Sequence, residues 1–355
     1  MITVQKDELV NAIKAVKTSV AKNDIQPSLK SIHLNTQGFN LILTTTDLCS
    51  STKAICEANI TENIDICVNA DKLDNIISKL DEIITINVKE GFLEIKSGET
   101  EFKLIYMSAT EFPNVSFEFS NDFVELTKSE FVNGVTKTAI STSKNSTQDV
   151  FSSVCITFYP TGYEMASTDG TRLSQVIFSS VAKKQEGKYI IPQKILLDTI
   201  KNIGEDVTAY FDINTVIFKT GNYIFKQNLL NGKYPDYQAI IPKNQPLQAK
   251  VKRQELLHAL EKVAVMCDER TNITVFDFDN NILKLTTACD NGKAKDKINI
   301  EFNGINKIAL NYKYVLDGIR VMNTEDITFE MAEGLAPCII KSDFNYLIMP
   351  IREKS

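Results

Sequence analysis

The 355-residue chain has no tryptophan and only two histidines, His33 and His258. One lies in a strand pattern and the other inside a helical one. Both are expected to be structural, and little is left from which to assemble Ser-His or Cys-His nucleophilic chemistry. No G-x-x-x-x-G-K or G-x-G-x-x-G run occurs, so nothing argues for a phosphate-cradling loop. The seven cysteines (49, 56, 67, 155, 267, 289 and 338) are odd in number and include no C-x-x-C pair. Reduced, mostly buried thiols are expected rather than a disulfide framework or a zinc site. No apolar run approaches the roughly 18 residues of a membrane helix. The opening MITVQKDELV carries charge early and has no apolar signal segment. The expectation is a cytoplasmic protein with no membrane partner, no cofactor and no metal.

What the chain does have is a repeat. In KDELVNAIKAVKTSV (6–20) the apolar residues Leu9, Ile13, Val16 and Val20 form one helical stripe. KSEFVNGVTKTAIST begins at Lys128 and RQELLHALEKVAVMC at Arg253. Aligned without gaps, Leu9, Phe131 and Leu256 correspond, as do Ile13, Val135 and Leu260. A second helix recurs in the same order: Leu73/Leu196/Val315, Ile77/Ile200/Ile319 and Leu80/Ile203/Met322. Two independent alignments at nearly one offset establish three tandem repeats of about 120 residues.

Between the helices run segments of alternating polarity, such as SIHLN, FNLILTTT, ITINVKE and NTVIFKTG. These are half-buried antiparallel strands. Thr127 and Glu130 offer a capping box for the first helix of the second repeat. Each repeat is expected to be two helices on roughly eight strands, an α+β layered unit. The expected domains are 1–122, 123–246 and 247–355.

Asp47, Asp169 and Asp290 recur once per repeat. A metal-dependent nuclease needs carboxylates converging on one site. Residues equivalent by repeat belong to separate domains, so these are expected to be turn formers that bond their own backbone. The formal net charge of −6 argues mildly against nucleic acid, but it is unevenly spread. The helical segments 6–22, 71–80, 128–144, 193–203, 252–266 and 311–322 hold 16 basic and 9 acidic residues. The remainder holds 23 and 36, so helices at net +7 belong to a body at −13. Basic helices of this kind would bind phosphate backbone without reading sequence.

Four stretches then carry a resemblance: YMSATEFPNV (106–115), ASTDGTRLSQ (166–175), NGKYPDYQAIIPKN (231–244) and YLIMPIR (346–352). In this order and spacing they resemble the beta subunit of bacterial DNA polymerase III, the replicative sliding clamp, over the whole chain. The resemblance implies three repeated DNA-clamp domains, each two helices packed on antiparallel sheets, closing as a head-to-tail homodimer into a six-domain ring. It implies a non-catalytic processivity factor that encircles duplex DNA. The implied partners are the replicative polymerase catalytic subunit, a clamp-loader ATPase and other proteins bearing a clamp-binding motif.

The resemblance also implies sites. The partner-peptide pocket would comprise Phe151, Thr168, Gly170, Thr171, Arg172, Leu173, Pro235, Ile240, Leu347, Met349, Pro350, Ile351 and Arg352. Arg172 would be able to bond peptide carbonyls or a carboxylate. The Met-Pro-Ile-Arg end suits no strand interior, because proline cannot donate to a ladder. The chain departs from the family at Thr171, where a larger polar residue is usual, at Gln148 and Ala239, where arginine is common, and at Phe151, usually leucine. These departures alter the pocket rim and its peptide preference. Phe102 and Leu104 of one copy would meet Val265 and Met266 of another. The DNA-facing candidates are Lys14, Lys17, Lys22, Lys72, Lys79, Lys137, Lys144, Lys194, Lys201, Lys262 and Arg320. The rival readings are a metal-dependent nuclease and a repeat scaffold for proteins alone.

Overall fold

A computed structural model of the chain describes residues 1–22, 26–143, 149–179 and 186–352. The described residues contain six α-helices: α1 (Lys6–Val16), α2 (Ala70–Ile77), α3 (Lys128–Ala139), α4 (Gln193–Lys201), α5 (Arg253–Ala264) and α6 (Tyr312–Val321). All six expected helices are present, two per repeat. Their starts follow side-chain chemistry. Asn69 and Asn311 accept from the backbone nitrogens of Lys72 and Lys313 at 3.0 Å. Thr127 accepts from the Glu130 nitrogen at 3.2 Å, as the capping box required.

The first helix of each repeat ends on a hydroxyl from a distant strand. Thr45 donates to the Val16 carbonyl, Ser167 to that of Thr138 and Thr287 to that of Val263. Each hydroxyl donates to a carbonyl of the last turn, and those of Thr138 and Val263 also accept from the Ser141 and Met266 nitrogens at 3.1 Å. α1 stops at Val16 and tightens into a 3-10 turn at Lys17–Ser19, short of the Val20 that the apolar stripe suggests.

The described residues group into two compact units, one holding residues 1–131 and 194–229, the other 132–179, 186–193 and 230–352. The division does not follow the repeats, because the strands of the middle repeat are shared out. In the first unit a nine-stranded sheet joins strands of the first repeat to Tyr223–Asn228, Thr215–Thr220, Val207–Phe211 and Phe123–Leu126. Its junction is antiparallel, Thr52 facing Phe225. A five-stranded sheet ends on Thr100–Leu104. Leu9, Ile13 and Val16 of α1 and Leu73 and Ile77 of α2 pack with Leu41, Leu43 and Ile84 in this unit's core. In the second unit an eight-stranded sheet joins Ser153–Tyr159, Gly162–Thr168 and Arg172–Phe178 to Asn345–Ile348 of the third repeat. A four-stranded sheet ends on Gly292–Asn299.

His33 is half-buried and bonds Asp65 at 2.6 Å, a structural role. His258 differs from expectation: it sits on the exposed face of α5. Asp47 accepts from the backbone nitrogens of Cys49 and Ser50, and Asp169 from those of Thr171 and Arg172, as turn formers do. Asp290 occupies a hairpin turn but pairs with Arg270 at 3.8 Å. All seven cysteines are free; Cys56, Cys67, Cys155 and Cys338 are buried and Cys49 is exposed.

Candidate functional site

The residues expected to form a partner-peptide pocket all belong to the second unit. Strands Arg172–Phe178 and Asn345–Ile348 pair so that Leu173 faces Leu347 and Arg172 faces Ile348. Leu173 and Leu347 join Cys155, Ala166, Ile190, Tyr234, Tyr237 and Ile339 in one buried apolar cluster. Thr168 closes one side. Its nitrogen donates to the Tyr234 hydroxyl at 3.2 Å and its hydroxyl to the Arg172 carbonyl at 2.7 Å. Gly170 takes φ +89° in the turn that follows, a backbone state that disfavours side chains. The strand ends at Ile348, and the Met349 nitrogen then donates to the Thr171 carbonyl at 2.9 Å. Met349 is 37% exposed and Ile240 46%, so both present apolar surface to solvent at the edge of this region.

Three residues behave differently from expectation. Arg172 is already committed: Nε meets Asp169 at 2.9 Å, Nη1 meets Asp317 at 2.7 Å, and the guanidinium lies 4.1 Å from the Tyr314 ring centroid. It braces the turn instead of offering free donors. Ile351 and Arg352 line a separate cleft with Asp277, Lys295 and Lys307; the Ile351 nitrogen donates to the Ala309 carbonyl at 2.8 Å. Among the described contacts the cluster is flanked by Val150, Leu230 and Ile241. Phe151 is half-buried beside Val150, Pro235 is half-buried, and Thr171 and Ala239 are exposed. Lys144 and Gln148 lie outside the described residues.

Of the Y-P-D-Y stretch, the tyrosines matter as well as the proline implied by the resemblance. Both tyrosines are in the cluster. The Tyr237 and Tyr159 hydroxyls donate to the buried Glu164, which also accepts from Gln175 at 2.8 Å and Gln238 at 3.1 Å. A buried carboxylate with four donors is fully satisfied. Burial, then the Glu164 contact, pushes the Tyr159 hydroxyl up to about 12.

The basic residues sort into three kinds. Lys14, Lys22, Lys72 and Lys79 are exposed, with no carboxylate paired to them among the described residues. Lys194 and Lys201 share Asp198, Lys262 pairs with Asp296 and Arg320 with Glu261, all from exposed positions. Lys17 is half-buried between Asp71 and Asp74 at 2.9 and 2.7 Å, so its charge is locally neutralised. Lys137 is a correction. It is 1% exposed and bonds Asp343 at 2.6 Å, inside the fold and not toward a ligand.

Phe102 and Leu104 lie half-buried on Thr100–Leu104, the end strand of the five-stranded sheet, and pack on its core. Val265 is 81% exposed just past α5. Met266 is half-buried with its Cε against Gly292, at the start of the end strand Gly292–Asn299.

Solved structures share this fold over essentially its whole length. The DNA polymerase III subunit beta from Pseudomonas aeruginosa matches with a TM-score of 0.92 and 24% identity, over 99% of this chain and 100% of that one. The beta subunit from Thermotoga maritima matches with a TM-score of 0.92 and 24% identity over all of both chains. In sequence, the beta sliding clamp of Synechococcus elongatus is 27% identical over all of both proteins, and that of Chlamydia muridarum 26% identical over 98% of each. Models of the N-terminal, central and C-terminal domains of the DNA polymerase III beta subunit match residues 1–116, 125–236 and 238–352. The chain belongs to the DNA polymerase III beta-subunit family, and its function is that of a DNA sliding clamp.

Proposed function

We propose that two copies of the chain close head to tail into a ring around duplex DNA and hold the replicative polymerase catalytic subunit there, without catalysis of their own. The observation that carries this reading is the threefold helix-on-sheet unit, with Lys14, Lys22, Lys72 and Lys79 exposed and without a paired carboxylate among the described residues, on or just past helices of an acidic chain. Such lysines attract phosphate without reading bases, and the contact weakens as salt rises. Head-to-tail contacts are heterologous and close into rings when the rotation allows. Two sheets each end on a strand with an unpaired side among the described residues, Thr100–Leu104 and Gly292–Asn299. Edges of this kind pair readily with another chain. Phe102 and Leu104 on one edge, with Val265 and Met266 beside the other, supply the apolar part of that contact.

Within the proposed domains 1–122, 123–246 and 247–355, partner peptides dock at Thr168, Leu173, Leu347 and Met349, with Tyr234 and Tyr237 beneath. A leucine or phenylalanine side chain fits this apolar floor, and Met349 adapts to different partners. A clamp-loader ATPase opens the ring, and other proteins bearing a clamp-binding motif compete for the pocket. The work is done in the cytoplasm. No helix among the described residues is long and apolar enough to cross a membrane. The mechanism is topological: a closed ring keeps its partner at high effective concentration on DNA without a tight grip.

Primer extension on a circular single-stranded template, with the cognate polymerase and loader, tests the reading. Adding the protein is expected to lengthen products toward full circle. Products of unchanged length would overturn it.

A further inference from the structure

The first and second repeats share one register. His33 faces Thr44 across its hairpin as Cys155 faces Ala166, and Leu41 faces Cys56 as Tyr163 faces Phe178. On the adjoining strand, His33 pairs with Cys67 where Cys155 pairs with Ile190. Phe112-Pro113-Asn114-Val115 stands where the second repeat has Tyr234-Pro235-Asp236-Tyr237. The apolar cluster of the second repeat therefore has a counterpart in the first, wholly within the first unit. That counterpart is a cleft of about 370 Å³.

Its chemistry is different. His33 stands for Cys155, Thr44 for Ala166 and Asp65 for Lys188. Lys53 stands for Gln175. In the second repeat Gln175 is bound to the buried Glu164. In the first, that acid's place is held by Ile42, and the Lys53 ammonium lies 4.4 Å from the Phe117 ring centroid with no carboxylate paired to it among the described residues. Burial alone pulls its pKa down. On another wall His33 engages Asp65 at 2.6 Å, and its ring lies 5.1 Å from that of Phe112. A partly desolvated cation without a counter-charge favours an anion. Two phenyl rings in the lining favour a flat apolar body beside that anion.

We propose that this first-repeat cleft binds a small organic anion, an aryl carboxylate or aryl phosphate, with Lys53 holding the charged group and Phe112 and Phe117 flanking the ring. The site goes beyond the clamp function and does not rest on it.

Titration calorimetry and amide chemical shifts on the full chain test it with benzoate, phenyl phosphate and inorganic phosphate as probes. Benzoate and phenyl phosphate are expected to bind and to shift amides of residues 33–44 and 112–117. Inorganic phosphate should bind more weakly. Lys53→Gln, which installs the second-repeat residue on a partly exposed strand position, is expected to weaken both aryl probes by about tenfold or more. Phe117→Leu should weaken them while leaving inorganic phosphate unchanged. Absence of binding by the wild type, equal binding of phenyl and inorganic phosphate, or unchanged affinity in Lys53→Gln would overturn the proposal. Processive synthesis on the primed circle is measured separately, so this proposal and the ring reading fail independently.

Discussion

Lys137 and Arg172 are where single residues mislead a reader of the sequence. Lys137 lies on the same helix face arithmetic as any solvated lysine, but its counter-charge is Asp343, 206 residues further on. Arg172 is likewise held by Asp317, 145 residues away. No local pattern announces such pairs, whereas the turn role of Asp169 was legible because its partners are two and three residues off. Lys137→Met should cost about 2 kcal/mol, since it leaves the Asp343 carboxylate without its charged partner; thermal melting at neutral pH measures this. Burial pushes the Asp343 carboxyl up, but the Lys137 and Ser342 hydrogen bonds outweigh it and hold the group below its ordinary value. A depressed folded value stabilises above the unfolded pKa of about 3.9 and is lost as pH falls through the folded one. The gap between wild type and Lys137→Met should therefore shrink in acid. A gap that held constant into strong acid would contradict the pairing. The thiols give a second check. Burial pushes Cys56 and Cys67 up to about 12 and Cys155 up to about 11, so native labelling near pH 8 should modify Cys49 well before these three. Equal labelling of Cys155 would mean that the apolar cluster is not packed as described.

At the scale of elements, the helices were legible because their apolar spacing is local and threefold. Their ends were not, because Thr45, Ser167 and Thr287 reach Val16, Thr138 and Val263 only through the fold. Glycine in helices shows the same limit. A Cβ at Gly318 of α6 would fall 2.3 Å from the Tyr346 ring, beside Leu347 of the pocket. Gly318→Ala should destabilise by about 1–3 kcal/mol through overpacking, despite alanine's better helix propensity. It should also weaken partner-peptide binding more than Gly204→Ala, where a Cβ meets nothing within 4 Å and the backbone is not left-handed. The end of strand Asn345–Ile348 agrees with what Pro350 implies: the Met349 nitrogen makes one last bond, to the Thr171 carbonyl, before the chain leaves the sheet. Deleting Met349 to Arg352 is expected to abolish peptide binding while leaving the solution mass unchanged. A monomeric deletion product would refute the separation of pocket and dimer contact.

At the scale of the whole molecule, three repeats and their α+β class could be read from two aligned helices. What could not be read is that the middle repeat gives its strands to two different sheets, since sheet partners are set by pairing at long range. The apolar cluster of the pocket depends on one such pairing, that of Leu173 with Leu347. The ring itself makes two demands. The solution mass should be near twice 39.8 kDa, and Leu104→Arg on the end strand should lower it toward the monomer by setting a charge in an apolar contact. Encirclement makes the stronger demand, because a ring is held on DNA by topology and not by affinity. The direct measurement is retention on nicked circular DNA after loading, before and after a single-site cut at a salt concentration that suppresses phosphate contacts. The protein should stay on the circle and leave within minutes of linearisation. Equal retention on circular and linear DNA would contradict the ring.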